Sequence, residues 1–161
     1  MKRFFFILLA LIGLSAYAAS PSRLFADVAK MRGVSSVYMG SSLMASYSQN
    51  MYLFGMGLYA DAVKNVKMIE VISTEDDADV AAVASACNKI IDARSLEILV
   101  ESTDGDEVDR ILFAPPAEGS TTTESLVIIS SSEDEYEVIH ICGDIDISKV
   151  IGFYARGIRV K

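Results

Sequence analysis

A chain of 161 residues and 17.4 kDa has room for one domain, and 52% hydrophobic with 22% charged residues excludes collagen-like, disordered and coiled-coil classes. Its 14 basic against 22 acidic residues give a formal charge of −8. That is the wrong sign for neutralising nucleic-acid phosphates or for resting on an anionic membrane surface, so neither is expected as a partner.

Residues 1–18 read as a secretory signal peptide. Lys2 and Arg3 form a charged start, Phe4 to Leu14 an apolar run, and Ala16 and Ala18 the small pair that signal peptidase reads. Such a run spans about 16 Å as a helix against a bilayer core of roughly 30 Å, too short for an anchor. No later stretch is apolar enough to span a membrane. The cysteines stand only at Cys87 and Cys142, so a lipoprotein linkage is not expected either. The expected product is one soluble domain, residues 19–161, periplasmic or secreted, with 12 basic and 22 acidic residues after the loss of Lys2 and Arg3.

Along that domain, Pro21 and Ser22 open a first helix with Leu24, Phe25, Val28 and Ala29 on one side and Gly33 as its stop. Val34 to Met39 is a short strand. Ser41 to about Phe54 carries a helical apolar stripe that Gly55 and Gly57 end, and Lys67 to Ser73 is β-rich. Ser73 and Thr74, followed by Glu75, Asp76 and Asp77, give a helix start with hydroxyl caps and acids at the positive end of the dipole. The helix that follows puts Val80, Val83, Ala84, Cys87, Ile90 and Ile91 on one face.

The period then changes to two. Leu96 to Ser102, Val108 to Ala114, Thr123 to Ser131 and Tyr136 to Cys142 read as four strands joined by turn residues such as Asp104-Gly105-Asp106, hence an antiparallel meander. Ile145 to Tyr154 closes the chain as a helix. The expected fold is α+β: an antiparallel-dominated sheet with helices packed on one face, a two-layer sandwich in which the first strands could add a parallel pairing.

Arg23-Leu24-Phe25-Ala26-Asp27 through Gly33-Val34-Ser35-Ser36-Val37-Tyr38-Met39 resembles the opening of the exported domain-of-unknown-function family 4252, a short helix followed by a G-V-x-x-V-Y-I/M strand. Val138-Ile139-His140-Ile141-Cys142-Gly143-Asp144-Ile145-Asp146 is similar to the family's closing apolar strand, and Val66 to Arg94 to its central section. The resemblance implies a small secreted or periplasmic protein of Bacteroidetes type. It brings no established activity and no catalytic residue to carry over.

Chemistry can be sought in a few constellations. The sole histidine, His140, shares a strand face with Tyr136, Val138 and Cys142, and no serine sits in a Gly-x-Ser-x-Gly elbow. No catalytic residue and no cofactor is therefore expected. Cys87 and Cys142 are either a disulfide, worth roughly 4 kcal/mol in the chain-entropy model, or two buried thiols in adjacent layers. One His and two distant Cys do not make a zinc site. Asp104, Asp106, Glu107 and Asp109 lack the spacing of a calcium loop and read as solvated turn acids. One acid of Asp144-x-Asp146 reads as the cap of the last helix.

Met39, Met44, Met51 and Met56 alternate with Tyr38, Tyr47, Tyr52 and Tyr59. Three readings fit this segment: core packing, a groove for a partner or ligand, and a copper(I) site built on thioethers. The candidate interaction surface is Met44, Tyr47, Met51, Tyr52 and Met56. The functional expectation is an exported, non-enzymatic binding module for an envelope protein or small ligand. The alternative is a small-ligand or copper-binding sensor, or an enzyme assembled from turn acids and His140.

Overall fold

The computed structural model describes residues 23–47 and 63–155, with side chains described for 23–44 and 66–152. Period-two alternation produces six strands: β1 (Val34–Met39), β2 (Val63–Thr74), β3 (Glu97–Asp104), β4 (Glu107–Phe113), β5 (Thr122–Ser131) and β6 (Tyr136–Asp146). They form one open sheet in the order β1-β2-β6-β5-β4-β3, and every pairing is antiparallel. The expected meander is β3 to β6. The parallel pairing allowed for the first strands does not form, because β1 and β2 lie antiparallel with Val34 opposite Thr74.

Among the described residues three helices accompany the sheet: α1 (Ser41–Tyr47), α2 (Val80–Asp92) and α3 (Ile147–Ala155). The first predicted helix shrinks to a 3-10 turn, Val28–Lys30, since Met31 already has the extended backbone that leads into β1. Leu24, Phe25, Val28 and Ala29 nevertheless share the apolar side read from the sequence. Ser73 and Thr74 belong to β2 and do not start α2. The cap is Asp79, whose carboxylate accepts from the Ala82 N–H at 2.9 Å. The part of the predicted second helix beyond Tyr47 lies outside the described residues.

The α+β class holds, but the helices occupy both faces. On one face, α2 and the Phe25–Val28 segment cover Ile72, Val127, Ile129 and Val138. On the other, Met44 of α1 and Val150 of α3 cover Ile69, Ile111, Leu126 and Ile141. The reason lies in the central strands, which are buried at consecutive positions: Met68 and Ile69 in β2, Leu126 and Val127 in β5, His140 and Ile141 in β6. A strand apolar on both sides needs cover on both sides.

Gly33 joins the 3-10 turn to β1 at φ +68° and accepts the Glu75 N–H at 2.8 Å. A Cβ there would meet the Ala78 backbone at 2.6 Å. Gly33→Ala is expected to destabilise by roughly 2 kcal/mol or more, combining left-handed strain with a backbone clash. Urea unfolding should show a lower midpoint at unchanged slope. A loss below about 0.5 kcal/mol would mean the turn relaxes freely.

Candidate functional site

The polar groups that the fold buries gather on the α2 face of the sheet. Antiparallel register sets them in two neighbouring rows, Glu70–His140–Val127 and Met68–Cys142–Ser125, across β2, β6 and β5. Ser125 takes its place by alternation with Val127 and Ile129, in a register unbroken from Ser125 to Ser131, and a bulge separates this run from Thr123. Thr123 pairs with Ile145, whereas Ser125 pairs with Cys142, so Glu124 alone faces both Gly143 and Asp144 and the extra residue lies on β6. The Thr123 hydroxyl secures the bulge by donating to the Ala114 carbonyl at 2.6 Å.

The segment before the 3-10 turn closes over these rows. The Arg23 Nε–H donates to Glu70 Oε1 at 2.9 Å, and the Phe25 backbone N–H donates to Oε2 at 3.0 Å. Both oxygens of a fully buried carboxylate are thus satisfied. The Arg23 guanidinium lies 5.0 Å from the centre of the Tyr38 ring, and the Phe25 ring meets His140 edge-on at 6.2 Å.

His140 is 4% exposed. Its Nε2 lies 3.0 Å from Ser125 Oγ and 3.3 Å from Cys142 Sγ, while Nδ1 is buried without a hydrogen-bond partner. Burial pulls the imidazole pKa down to about 4, against the opposing pull of Glu70 and with a smaller push from Arg94. Burial also raises the Cys142 thiol to about 11, so it is protonated near neutrality. Cys87 is pushed to about 11 by the same cause. It sits near Tyr136, whose hydroxyl is buried, raised in pKa and outside hydrogen-bond geometry with the thiol.

Ser125, His140 and Glu70 invite comparison with a nucleophile–base–carboxylate relay, but the geometry does not support one. Glu70 spends both oxygens on Arg23 and Phe25 rather than on Nδ1. An imidazole that holds a proton only near pH 4 is a weak base for a serine hydroxyl. Two surface depressions, one between Met31 and Val83 and one around Ser130 and Ser132, both lie away from His140. The bonds from Arg23 and Phe25 to Glu70 fix the segment before the 3-10 turn onto β2.

The structure brings His140 and Cys142 together and places Cys87 and Cys142 on the same face, both as free thiols. Met44 is buried with Met39 in the core of the opposite face, which removes it from any contact surface of this conformation. The Tyr47 side chain and Met51, Tyr52 and Met56 lie outside the described residues. Asp104, Asp106, Glu107 and Asp109 are exposed at the β3–β4 hairpin, apart from His140. Asp146 caps α3, accepting from the Lys149 N–H at 3.3 Å. Among the described residues no three His, Cys, Asp or Glu side chains converge on a metal position, and no helix is long and apolar enough to cross a membrane.

Sequence reasoning missed Arg23, Glu70 and Ser125. A signal for Glu70 was available, since it is the lone acid inside the apolar run from Met68 to Ile72. Ser125 lies on the face of Val127 and Ile129 by plain alternation, whereas Arg23 depends on a contact 47 residues away. A family model described as a domain of unknown function, DUF4252, matches residues 26–153. No curated protein and no solved structure matches the chain.

Proposed function

Starting from a chain that belongs to the DUF4252 family, we propose that this protein is an exported, non-enzymatic binding module of the cell envelope that takes up an extended partner segment at the free edge of β1. The observation that carries this reading is the contrast between the two sheet edges. Edge strands invite pairing, and soluble proteins blunt them with charge and bulges. β3 is blunted in that way, with Glu97, Glu101 and Asp104 and an irregularity between Ile98 and Val100. β1 is not: Val-Ser-Ser-Val-Tyr-Met has no charge and no proline, and Val37 and Tyr38 are 51% and 42% exposed.

Among the described residues, six residues of edge offer about 20 Å of backbone that no strand pairs, enough for a short strand to be added. The chain's charge of −8 favours a partner segment flanked by basic residues. The charged start, apolar run and Ala16/Ala18 pair support export, which would place β1 among envelope partners.

The test is photo-cross-linking in the intact envelope. A cross-linker at exposed Ser36 should give a discrete heavier adduct, and one at exposed Ile98 on β3 should not. Val37→Lys should cut the Ser36 adduct about tenfold or more, equivalent to about 1.4 kcal/mol, while changing stability by less than about 0.5 kcal/mol. Equal adducts from both edges, or an adduct indifferent to Val37→Lys, would sink the edge reading.

A further inference from the structure

His140 and Cys142 stand two positions apart on β6, so both point from the same face, and Cys142 Sγ comes within 3.3 Å of His140 Nε2. Met68 lies directly across β2 from Cys142 and is fully buried. Cross-strand partners have Cβ atoms about 4.5–5.5 Å apart, within the reach of a flexible thioether. Catalysis, the Glu70 ion pair and the β1 edge make no use of this group. We propose that Cys142, His140 and Met68 form a binding site for one soft monovalent cation, copper(I) being the ion whose chemistry fits the three donors.

Geometry supplies the first argument. A metal about 2.3 Å from a thiolate sulfur and about 2.0 Å from an imidazole nitrogen subtends roughly 100° when those atoms are 3.3 Å apart. The two ligands therefore need little rearrangement to share an ion. The ring is also aimed at the site: Nε2 makes its contacts with Ser125 and Cys142, while Nδ1 has no hydrogen-bond partner among the described residues. Ser125 Oγ, 3.0 Å from Nε2, marks the rim.

Donor chemistry and charge select the ion. Thiolate, imidazole and thioether are soft or borderline ligands, whereas calcium and magnesium require several oxygens. The nearest buried carboxylate, Glu70, has both oxygens engaged by Arg23 and Phe25. Binding replaces the Cys142 S–H bond by an S–metal bond and releases one proton to solvent for each cation bound. Thiolate and monovalent ion cancel, so no net charge is buried, while a divalent ion would leave one uncompensated positive charge in the sheet. Access is from the side of Cys142 and Ser125, which are both partly exposed, with His140 behind them.

This site goes beyond the strand-addition reading and is independent of it. The experiment is an anaerobic titration of the reduced, full-length protein with copper(I) against the chromophoric chelator bathocuproine disulfonate. The wild type should retain one copper(I) per chain. Cys142→Ser should lose about 100-fold in affinity and Met68→Leu about 10-fold, with Cys87→Ser unchanged. Thermal melts of the apo variants check that each is folded. A second measurement needs no variant: silver(I) should shift the His140 ring resonances of the wild type while amides of the opposite face stay in place. Complete loss of copper to the chelator, equal damage from Cys87→Ser, unmoved His140 resonances, or tighter retention of zinc(II) than of copper(I) would each overturn the proposal.

Discussion

Replacing Arg23 with methionine should lower the free energy of unfolding by about 2–3 kcal/mol, although Arg23 is itself one-third exposed. The loss falls on its partner. Glu70 is fully buried, and without Arg23 its charge is left with one neutral hydrogen bond, from Phe25. Breaking a fully buried pair from one side costs about 3–5 kcal/mol. Water reaching Glu70 past an exposed position trims that figure, while the lost stacking on Tyr38 adds about 0.5 kcal/mol.

The double variant Arg23→Met/Glu70→Leu should recover most of the loss, because a buried aliphatic chain needs no counter-charge. Urea unfolding of the wild type, both single variants and the double variant gives the coupling energy directly. Additive effects would show that Phe25 and solvent alone satisfy Glu70.

The second large effect is acid sensitivity. His140 binds a proton near pH 6.5 in the unfolded chain but only near pH 4 in the fold, because burial disfavours the imidazolium. Between those values the unfolded state holds the extra proton, so stability rises with pH at up to about 1.4 kcal/mol per unit. Stability is complete above about pH 7, falls through the window from 6.5 to 4, and has lost about 3 kcal/mol below it.

Glu137 works in the opposite direction. Burial raises its pKa, with Glu135 adding to the shift, so the folded state binds its proton more readily. The His140 contribution is therefore isolated by subtracting the curve of His140→Phe, which keeps a ring against Phe25 but carries no proton. A difference curve that is flat from pH 4 to 6.5 would mean solvent reaches the imidazole.

The meander was legible in the sequence because its strands alternate cleanly and are joined by turn residues such as Asp104-Gly105-Asp106. The start of α2 was not, since Ser73 and Thr74 serve equally well as the last residues of a strand. Only the full length of β2 decides that Asp79 is the cap. The two-sided covering of the sheet was written in the unbroken apolar runs at Met68-Ile69 and Leu126-Val127, which a one-faced sheet would not contain.

Of the buried polar group, His140 and Cys142 were placed on one face by simple alternation. Their companions were not, for two physical reasons. Ser125 shares the face of Val127 and Ile129 by the same alternation, but its place opposite Cys142 depends on the register between two strands, and Arg23 reaches the group through tertiary folding alone.

The strand order has a consequence in time. β6, the last of the described strands to be synthesised, lies between β2 and β5 in the middle of the sheet. Until Tyr136 to Asp146 has emerged, β1–β2 and β3–β4–β5 are two separate ladders with no shared hydrogen bonds, and the partners that join them are some 70 residues apart along the chain. Closure of the sheet waits for the C-terminal region, and the long loop it completes makes closure slow. Under the export reading proposed above, such an order would keep the core open until β6 has been made.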